Sequence, residues 1–382
     1  MKTTERKAAP AMRRGARAAR HALAALCLAI GPASARAATD APNYVFLDND
    51  FSGPGETNIQ SLYPLLTDPD VKLLGIGTVT GDAWRDEGTA HLLAFLKQTQ
   101  CGLIPVYLGA NRPLLRTRAE MSAWEAQYGP LLWKGAWQPA SPRHAGHPDQ
   151  PSLIPPMAEG PAPPLPKGPS AAQAMIEAVH RHPHEVTIIA AGPLTDLAEA
   201  IRLDDTFVSL ARGLVFMGGL IDIDGAQVDL EKQRGHDFYT DFNMIFDPEA
   251  AHIVLTAPWA SITNLGNVTL AVPLTQALRD GAAHGTTPLA AYFSRYARVG
   301  IPMWDELTAA VAIHPDLVTG SREATMDVET ARGLFYGRAH ARAPSLSPRD
   351  MPTVRIVTSV DMAAFYRLFA ESFTAPSAAC AR

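Results

Sequence analysis

Aspartates follow several short apolar runs of the sequence, at the positions where buried strands would end. Asp48 and Asp50 close the first of these runs, and Asp82 follows the second. Much later, Asp305 lies at the start of a helical pattern. Carboxylate oxygens are the ligands that a hard cation such as Ca²⁺ prefers. If the loops that carry these acids meet at one edge of a sheet, they predict a cation site there.

The elements that must position these acids alternate along the chain. Apolar runs typical of buried strands lie at Tyr44–Leu47, Val71–Val79, Pro105–Leu108, Val186–Ala190, Leu214–Met217 and Ser261–Asn264, with a last strand and helix in Val354–Phe373. Helical patterns lie between them at Ile59–Leu66, Glu87–Lys97, Ala171–Arg181 and Thr195–Ile201. This alternation predicts an α/β fold with a Rossmann-like core, in which helices flank a central, mostly parallel sheet. In such sheets ligands bind beyond the carboxyl ends of the strands, which is where the acids stand.

A dense run of prolines interrupts this rhythm at residues 139–169. The alternation of strands and helices resumes directly afterwards. We therefore interpret the run as a surface loop inside one domain, which would span residues 38–382, rather than as a linker between two domains.

The first 37 residues have the pattern of a signal peptide. Arginines, among them the pair Arg13-Arg14, precede the apolar run His21–Ile30, and Ala35-Arg36-Ala37 fits a signal-peptidase site. The apolar run is too short to span a membrane. We expect residues 1–37 to be removed and the mature chain to be periplasmic or secreted, by the general or the twin-arginine route, with no further membrane contact.

The charge of the mature chain limits its partners. The whole sequence has 33 basic and 38 acidic residues; without the 8 basic and 1 acidic residues of 1–37, 25 basic and 37 acidic residues remain, a net charge of −12. An acidic surface argues against nucleic-acid polymers as partners but permits a small neutral nucleoside. Whether the chain forms a homo-oligomer is left open.

Two cysteines, Cys101 and Cys380, remain after Cys27 is lost with the signal peptide. Export would permit a disulfide between them, although two cysteines do not establish one.

Several motifs follow one another in an order that is informative as a whole. After Asp48-Asn49-Asp50 come Ala191–Asp196 (AGPLTD), Phe216–Gly219 (FMGG), Asp241–Asn243 with Phe246–Ala251 (DFN, FDPEAA), and Trp304-Asp305. This succession is similar to that of the inosine/uridine-preferring nucleoside hydrolases, from about Tyr44 to Phe373. The resemblance implies their fold, a mostly parallel sheet with flanking helices. It also implies their reaction, in which water splits the N-glycosidic bond of a ribonucleoside.

The resemblance also implies roles for individual residues. Asp50 would bind Ca²⁺ and act as general base towards the attacking water, with Asp305 and the main-chain carbonyl of Ala191 as further ligands. Three residues would contact the ribose: Asp241, Asn243 and Met217. This division of labour suits an oxocarbenium-like transition state, because carboxylates stabilise the positive charge on the sugar and Ca²⁺ lowers the pKa of a water.

Two positions resemble the purine-preferring branch of the family. Met303 stands before Trp304-Asp305 where many members have a histidine as leaving-group acid, and Asp82 stands where many have asparagine. By this resemblance, the Trp304 indole would stack on a purine and assist its departure, and we assign Trp304 and Asp82 to catalysis. Trp124 would be a second stacking residue, whereas Trp133 and Trp137 are expected to pack or anchor loops.

The loop after Asp50 departs from the family pattern. The usual Asp-x-Asp-Pro-Gly-x-Asp-Asp is replaced by a longer loop, residues 50–58, that lacks the final pair of acids. We expect Glu56 to replace a calcium ligand and Asn58 to replace a ribose contact, since both offer oxygen atoms.

Two other functions fit parts of the sequence. The altered loop leaves open a nucleoside- or ribose-binding protein on the same fold that has lost catalysis. The apolar run before Asp48-Asn49-Asp50 also resembles the opening of haloacid-dehalogenase-type phosphatases, with Thr78 or Thr80 as their hydroxyl residue. That class further needs a lysine followed by a late acidic pair, and the sequence shows no convincing example.

Overall fold

A computed structural model describes residues 42–131, 133–140, 146–221 and 241–380. The predicted signal peptide, residues 1–37, lies outside the described residues. The strands within them are β1 (Asn43–Asn49), β2 (Val71–Thr78), β3 (Val106–Leu108), β4 (Val186–Ala190), β5 (Gly213–Phe216), β6 (Ile262–Asn264), β7 (Val318–Val328), β8 (Ala339–Arg342) and β9 (Val354–Val360). They form one sheet in the order β3-β2-β1-β4-β5-β6-β9-β7-β8.

The sheet is parallel from β3 to β9, and β7 and β8 extend it as antiparallel strands. Its strand order reverses at β1, because β2 and β3 lie on one side of β1 and β4 lies on the other. Such a reversal leaves a crevice at the carboxyl ends of the two central strands, where ligands bind. Asp50 directly follows β1 at this crevice.

Helices cover the sheet on both faces, and the described ones are α1 (Thr57–Gln60), α2 (Leu62–Thr67), α3 (Arg85–Gln98), α4 (Arg118–Tyr128), α5 (Ala171–Arg181), α6 (Thr195–Leu203), α7 (Phe207–Leu210), α8 (Phe242–Phe246), α9 (Pro248–Thr256), α10 (Gln276–Ala283), α11 (Pro288–Tyr296), α12 (Trp304–Ile313) and α13 (Met362–Glu371). Among the described residues, no helix is long and apolar enough to cross a membrane.

The apolar core has two main layers, one on each face of the sheet, and a smaller third cluster that contains Trp84, Trp137 and Phe246. Along β1, Val45 and Leu47 belong to the layer packed against α2, α3 and α12, whereas Phe46 belongs to the layer packed against α5, α6 and α9. Successive side chains of a strand point to opposite faces, so a central strand with apolar residues in succession is buried on both. The predicted fold class is confirmed.

All the strands expected from the sequence are present, but β7 and β8 were not foreseen. The first half of β7 is largely exposed, and its sequence mixes Thr, Ser, Arg and Glu with few apolar residues. Because this half of β7 is not buried, its sequence does not alternate between apolar and polar residues, and such alternation is what would predict a strand.

The described parts of the proline-rich run, residues 139–140 and 146–169, have turns and an isolated bridge between Met157 and Gly160, with no helix or strand of their own. A disulfide joins Cys101, which follows α3, to Cys380 near the C-terminus, across 279 residues of sequence. The pairing that the sequence left open is thus present, and it ties the end of the chain to the layer that contains α3.

Candidate active site

Asp50 lies at the centre of the crevice and is almost fully buried. Its Oδ2 accepts a hydrogen bond from the main-chain N–H of Asp82 at 2.8 Å, and its Oδ1 accepts one from the Asn58 carboxamide at 3.2 Å. Its own N–H donates to the Asn49 side chain at 2.8 Å. The loops after β1 and β2 therefore hold the carboxylate in one orientation.

Two glycines of the motifs make room for Asp50. A Cβ atom on Gly81 would lie 2.1 Å from Asp50 Oδ2, and one on Gly192 would lie 2.7 Å from the Asp50 nitrogen. Real Cβ atoms do not approach other atoms so closely. Glycine is therefore required at both positions by the closeness of the backbone to this aspartate.

Asp305 enters the same crevice from the first turn of α12. Its Oδ2 accepts a hydrogen bond from Asn49 Nδ2 at 3.2 Å, and its main-chain N–H donates to the Thr57 hydroxyl at 3.2 Å. The structure thus brings Asp305 to residues that lie some 250 positions earlier, which the sequence analysis expected. Trp304, the first residue of α12, is half-buried beside it.

The charges of these acids are poorly compensated. Burial, and then the nearby Asp82 and Asp305, raise the pKa of Asp50 well above its ordinary value. Burial is also the main cause of the raised pKa of Asp305, with Asp82 adding to it. For Asp82 itself, burial raises the pKa, while hydrogen bonds from Trp133 and Asn58 oppose the rise. A group of acids that raise one another's pKa is an environment that favours a bound cation.

The altered loop places Asn58 between two of the acids. Its carboxamide Nδ2 lies 3.2 Å from Asp50 Oδ1 and 3.3 Å from Asp82 Oδ2, while its Oδ1 accepts a hydrogen bond from the Ser52 hydroxyl at 3.0 Å. Glu56 instead forms an ion pair with Arg298 at 2.6 Å. The loop therefore supplies an amide to the acids, and the role of Glu56 as a calcium ligand stays a prediction.

The residues expected to contact ribose form a second group at the same edge. Asp241 is the N-cap of α8 and accepts hydrogen bonds from the main-chain N–H groups of Asn243 and Met244. The Asn243 carboxamide donates to the Ala191 carbonyl at 3.0 Å and lies 3.4 Å from Met217 O and Sδ. Burial raises the pKa of Asp241 to about 6, and Asp82 contributes to the rise. The structure therefore joins these predicted residues in one cluster facing the acids.

The tryptophans divide differently from the expectation. Trp124 donates its indole N–H to the carbonyl of Gly333 at 2.8 Å, and its ring packs on Tyr128 in α4. No contact within the described ranges joins it to the acids, so its stacking role stays a prediction. Trp137 packs on Phe246, as expected of a packing residue.

Trp133 is a site residue that sequence reasoning missed. Its indole N–H donates to Asp82 Oδ1, and 40% of its surface is exposed. The loop that carries it is held by a hydrogen bond from the Ala136 N–H to the Gly81 carbonyl at 2.8 Å. The sequence offered one signal for this role, a tryptophan in a segment without helical or strand periodicity.

Asp196 is a second missed residue, and it explains the end of the AGPLTD motif. Its carboxylate accepts a hydrogen bond from the Ala110 N–H at 2.6 Å and is hydrogen-bonded to the Asp48 carboxyl group. Burial raises the pKa of Asp196 to about 7, and burial together with Asp196 raises that of Asp48 well above its usual value. The pair joins β1 to the loop after β3 beneath the site.

The oxygen atoms at this edge of the sheet suit a hard metal ion. In the described part of the chain, no three His, Cys, Asp or Glu side chains are arranged to hold one. Calcium, however, accepts six to eight oxygens, including carbonyls and waters. Two buried carboxylates whose pKa values are raised, Asp50 and Asp305, together with the Ala191 carbonyl, fit that preference, because each is an oxygen donor and a cation would offset the two charges.

Comparison with known proteins gives a consistent result. Residues 45–367 match the family model described as inosine-uridine preferring nucleoside hydrolase. An uncharacterised protein of Schizosaccharomyces pombe is 31% identical over 363 residues, which cover 88% of this chain and 87% of the relative. The inosine-uridine preferring nucleoside hydrolase of Leishmania major is 26% identical, over 78% of this chain and 86% of its own.

Solved structures show the same fold. A plant nucleoside hydrolase superposes with a TM-score of 0.67 at 23% identity, covering 88% of this chain and 100% of its own. A purine-preferring ribonucleoside hydrolase from Gardnerella vaginalis superposes with a TM-score of 0.63 at 20% identity, covering 86% and 98%.

Proposed function

The chain belongs to the inosine-uridine preferring nucleoside hydrolase family and is a ribonucleoside N-glycosyl hydrolase, and from this premise we propose that it works with a Ca²⁺ ion held by Asp50, Asp305 and the Ala191 carbonyl. The observation that carries the proposal is the meeting of two buried carboxylates, Asp50 and Asp305, at the point where the strand order reverses. Membership of this family argues against the haloacid-dehalogenase-type phosphatase that the start of the sequence also resembles.

In the proposed reaction Asp50 is the general base. When bound by Asp50, Asp305 and the Ala191 carbonyl, a cation would help to orient the ribose and would lower the pKa of the attacking water. Asp50 would then remove a proton from this water, since a carboxylate within reach of the attacking water can act as its general base. The N–H of Asp82 and the Asn58 amide keep its carboxylate in place.

The ribose is held by the cluster around α8. The Asp241 carboxylate is ionised above its pKa of about 6 and stabilises the positive charge that develops on the sugar ring. Asn243 and Met217 contact the ribose beside it, and Asn58 contacts it from the first loop. Because Asn243 also bonds to the Ala191 carbonyl, ribose binding and cation binding share one support.

For the base we propose a preference for purines. The support is the combination of Asp82 with Trp304-Asp305, which resembles the purine-preferring branch. Trp304 and Trp124 would stack on the base, and Asp82 would assist its departure. The half-buried position of Trp304 beside Asp305 agrees with this role.

Export to the periplasm or the medium is also part of the proposal. Its support is the signal-peptide pattern of residues 1–37 together with the disulfide between Cys101 and Cys380, since disulfides persist mainly in oxidising compartments. Fractionation of cells and mass determination of the mature N-terminus test it. A cytoplasmic protein that retains residues 1–37 would contradict it.

Ribose release from inosine, guanosine, adenosine and uridine, with and without a chelator, tests the activity. We expect release from the purine nucleosides to exceed release from uridine, and the chelator to abolish both. Asp50→Ala should release no ribose while still folding. A wild-type chain that binds inosine and releases no ribose with added Ca²⁺ would instead be the catalytically impaired binding protein.

A further inference from the structure

The first loop, residues 50–58, is held between two helices. On the α3 side, a Cβ atom on Gly53 would lie 2.5 Å from the His91 ring. On the α11 side, one on Gly55 would lie 2.5 Å from Tyr296 Cβ and 2.7 Å from its carbonyl carbon, and Gly55 has a φ of +69°. The loop therefore fits this space because glycines stand at both contact points.

A carboxylate from the proline-rich run reaches the same two helices. Glu159 Oε1 lies 2.8 Å from His91 Nδ1 in α3 and accepts a hydrogen bond from the Tyr292 hydroxyl in α11 at 3.1 Å. The Glu159 side chain is fully buried. It therefore connects both walls of the space that contains the first loop.

The turn that carries Glu159 is itself attached to these helices. Gln98 donates its side-chain amide to the Glu159 carbonyl at 3.1 Å, and the Tyr296 hydroxyl donates to the Ala158 carbonyl at 3.3 Å. Within residues 146–169, no side chain belongs to either apolar core layer. Polar contacts with α3 and α11 therefore define how this turn sits.

Tyr292 links this carboxylate to the loop. The Tyr292 ring packs on the Tyr296 ring, with centroids 4.7 Å apart, and Tyr296 borders Gly55 of the loop. At the far end of the same loop, Asn58 contacts Asp50 and Asp82. A continuous chain of contacts therefore runs from the proline-rich run to the acids.

We propose that Glu159 is a positioning residue for nucleoside hydrolysis: through His91 and Tyr292 it fixes the first loop, and with it the place of Asn58 between Asp50 and Asp82. The inference rests on the proposed function of this site. It gives the turn that carries Glu159 a role in substrate binding.

Glu159→Ala tests the proposal with inosine as substrate. Loss of the carboxylate leaves the His91 ring and the Tyr292 hydroxyl without this acceptor, so Asn58 is no longer held in register with the ribose. We expect KM for inosine to rise about tenfold or more, with a smaller fall in kcat, because a contact between Asn58 and the ribose that exists in the ground state and the transition state alike is weakened. Glu159→Gln should recover most of the loss, since its amide oxygen still accepts from Tyr292.

The matched control is Asp68→Ala. Asp68 pairs with His314 at 2.8 Å, and both side chains are as nearly buried as the His91–Glu159 pair, but they follow α2 and α12 rather than bordering the first loop. We expect a similar fall in Tm for Asp68→Ala and Glu159→Ala, with KM changed in the latter alone. A Glu159→Ala enzyme that loses stability and keeps its KM would overturn the proposal.

Tyr292→Phe gives a second, independent test. If Glu159 acts through Tyr292, the double variant Glu159→Ala/Tyr292→Phe should have nearly the same KM as Glu159→Ala alone. Additive losses would contradict that route. Inosine affinity, measured by calorimetry on the same variants, separates the proposed hydrolase function from the positioning role of Glu159. A wild type without turnover would reject the proposed function, whereas equal inosine affinity of wild type and Glu159→Ala would reject the positioning role.

Discussion

Two pairs of buried aspartates differ in how the fold compensates their charge. The central acids, Asp50 and Asp305, lie in the crevice and face other acids, and their pKa values are raised well above the ordinary value. The capping acids, Asp241 and Asp247, begin helices α8 and α9, and their pKa values reach about 6. Burial is thus common to both pairs, and the balance between hydrogen-bond donors and neighbouring carboxylates distinguishes them.

Asp247 shows how complete that supply is for a capping acid. Its carboxylate accepts hydrogen bonds from Leu114 N–H at 2.8 Å, the Thr195 hydroxyl at 2.7 Å and Ala250 N–H at 3.1 Å. Asp305 by contrast accepts from amide side chains and is repelled by Asp82 and Asp241. An acid that the fold buries without compensating its charge is a better candidate for cation binding than one that caps a helix.

The largest effect should come from Asp50→Asn. Loss of the general base should lower kcat by about 10²- to 10⁴-fold. The free energy of unfolding in the absence of cation should not fall, because the change removes a charge repelled by Asp82 and Asp305. Asp247→Ala should show the reverse, with most of kcat retained and stability lowered, because three donors lose their buried acceptor. Kinetics and urea unfolding of both variants measure this, and similar behaviour of the two would remove the distinction between the pairs.

The next effect concerns pH and the capping acid Asp247. Its pKa in the folded chain is raised from 3.8 to about 6 by burial, so the folded state resists its ionisation. Its contribution to stability is present below pH 3.8 and is lost as the pH rises through about 6, a loss of about 3 kcal/mol. The free energy of unfolding, measured with urea, should fall less steeply between about pH 4 and about pH 7 for Asp247→Asn than for the wild type. Parallel curves for variant and wild type would show that this acid does not titrate as inferred.

Calcium should stabilise the wild type through the central acids. At a concentration a hundred times its Kd, a ligand that binds the folded state alone contributes about 2.7 kcal/mol. We expect thermal unfolding to show this stabilisation by Ca²⁺ in the wild type and in Asp247→Ala. In Asp305→Asn we expect no stabilisation by Ca²⁺. An Asp305→Asn protein that Ca²⁺ still stabilises to the same extent would remove Asp305 from the ligand set.

The smallest effect should come from a capping acid that is exposed. Asp361 caps α13, where it accepts a hydrogen bond from Ala364 N–H at 2.9 Å. Asp361→Ala should lower the free energy of unfolding by about 1 kcal/mol without changing kcat. The difference between this loss and the loss of unfolding free energy in Asp247→Ala gives the additional free energy that buried donors cost when they lose their acceptor. An equal cost for the two changes would mean that burial adds nothing at Asp247.

Much of the fold could be predicted from the sequence, because the buried strands are continuous apolar runs. The exposed, polar β7 escaped prediction, since no apolar period marks it. Within the site, Asp50, Asp82 and Asp305 could be expected to meet, because each follows a strand or begins a helix at one edge of the sheet. The roles of Trp133 and Asp196 could not be predicted. The hydrogen bond from the Trp133 indole to Asp82 and the pairing of Asp196 with Asp48 depend on how separate loops pack together.

The sequence by itself determined the layers of the sheet, the edge at which the acids gather, and the motifs that place the chain among nucleoside hydrolases. These features depend on apolar periodicity and on short segments, which are local. The tertiary structure alone decided which buried acids have their charge compensated and which side chains hold the first loop. The donors to Asp247 come from residues 133 and 52 positions away, and Glu159 lies 68 positions from His91 and 133 from Tyr292. Electrostatic compensation depends on distances of a few ångström in space, and separation along the chain does not reveal them.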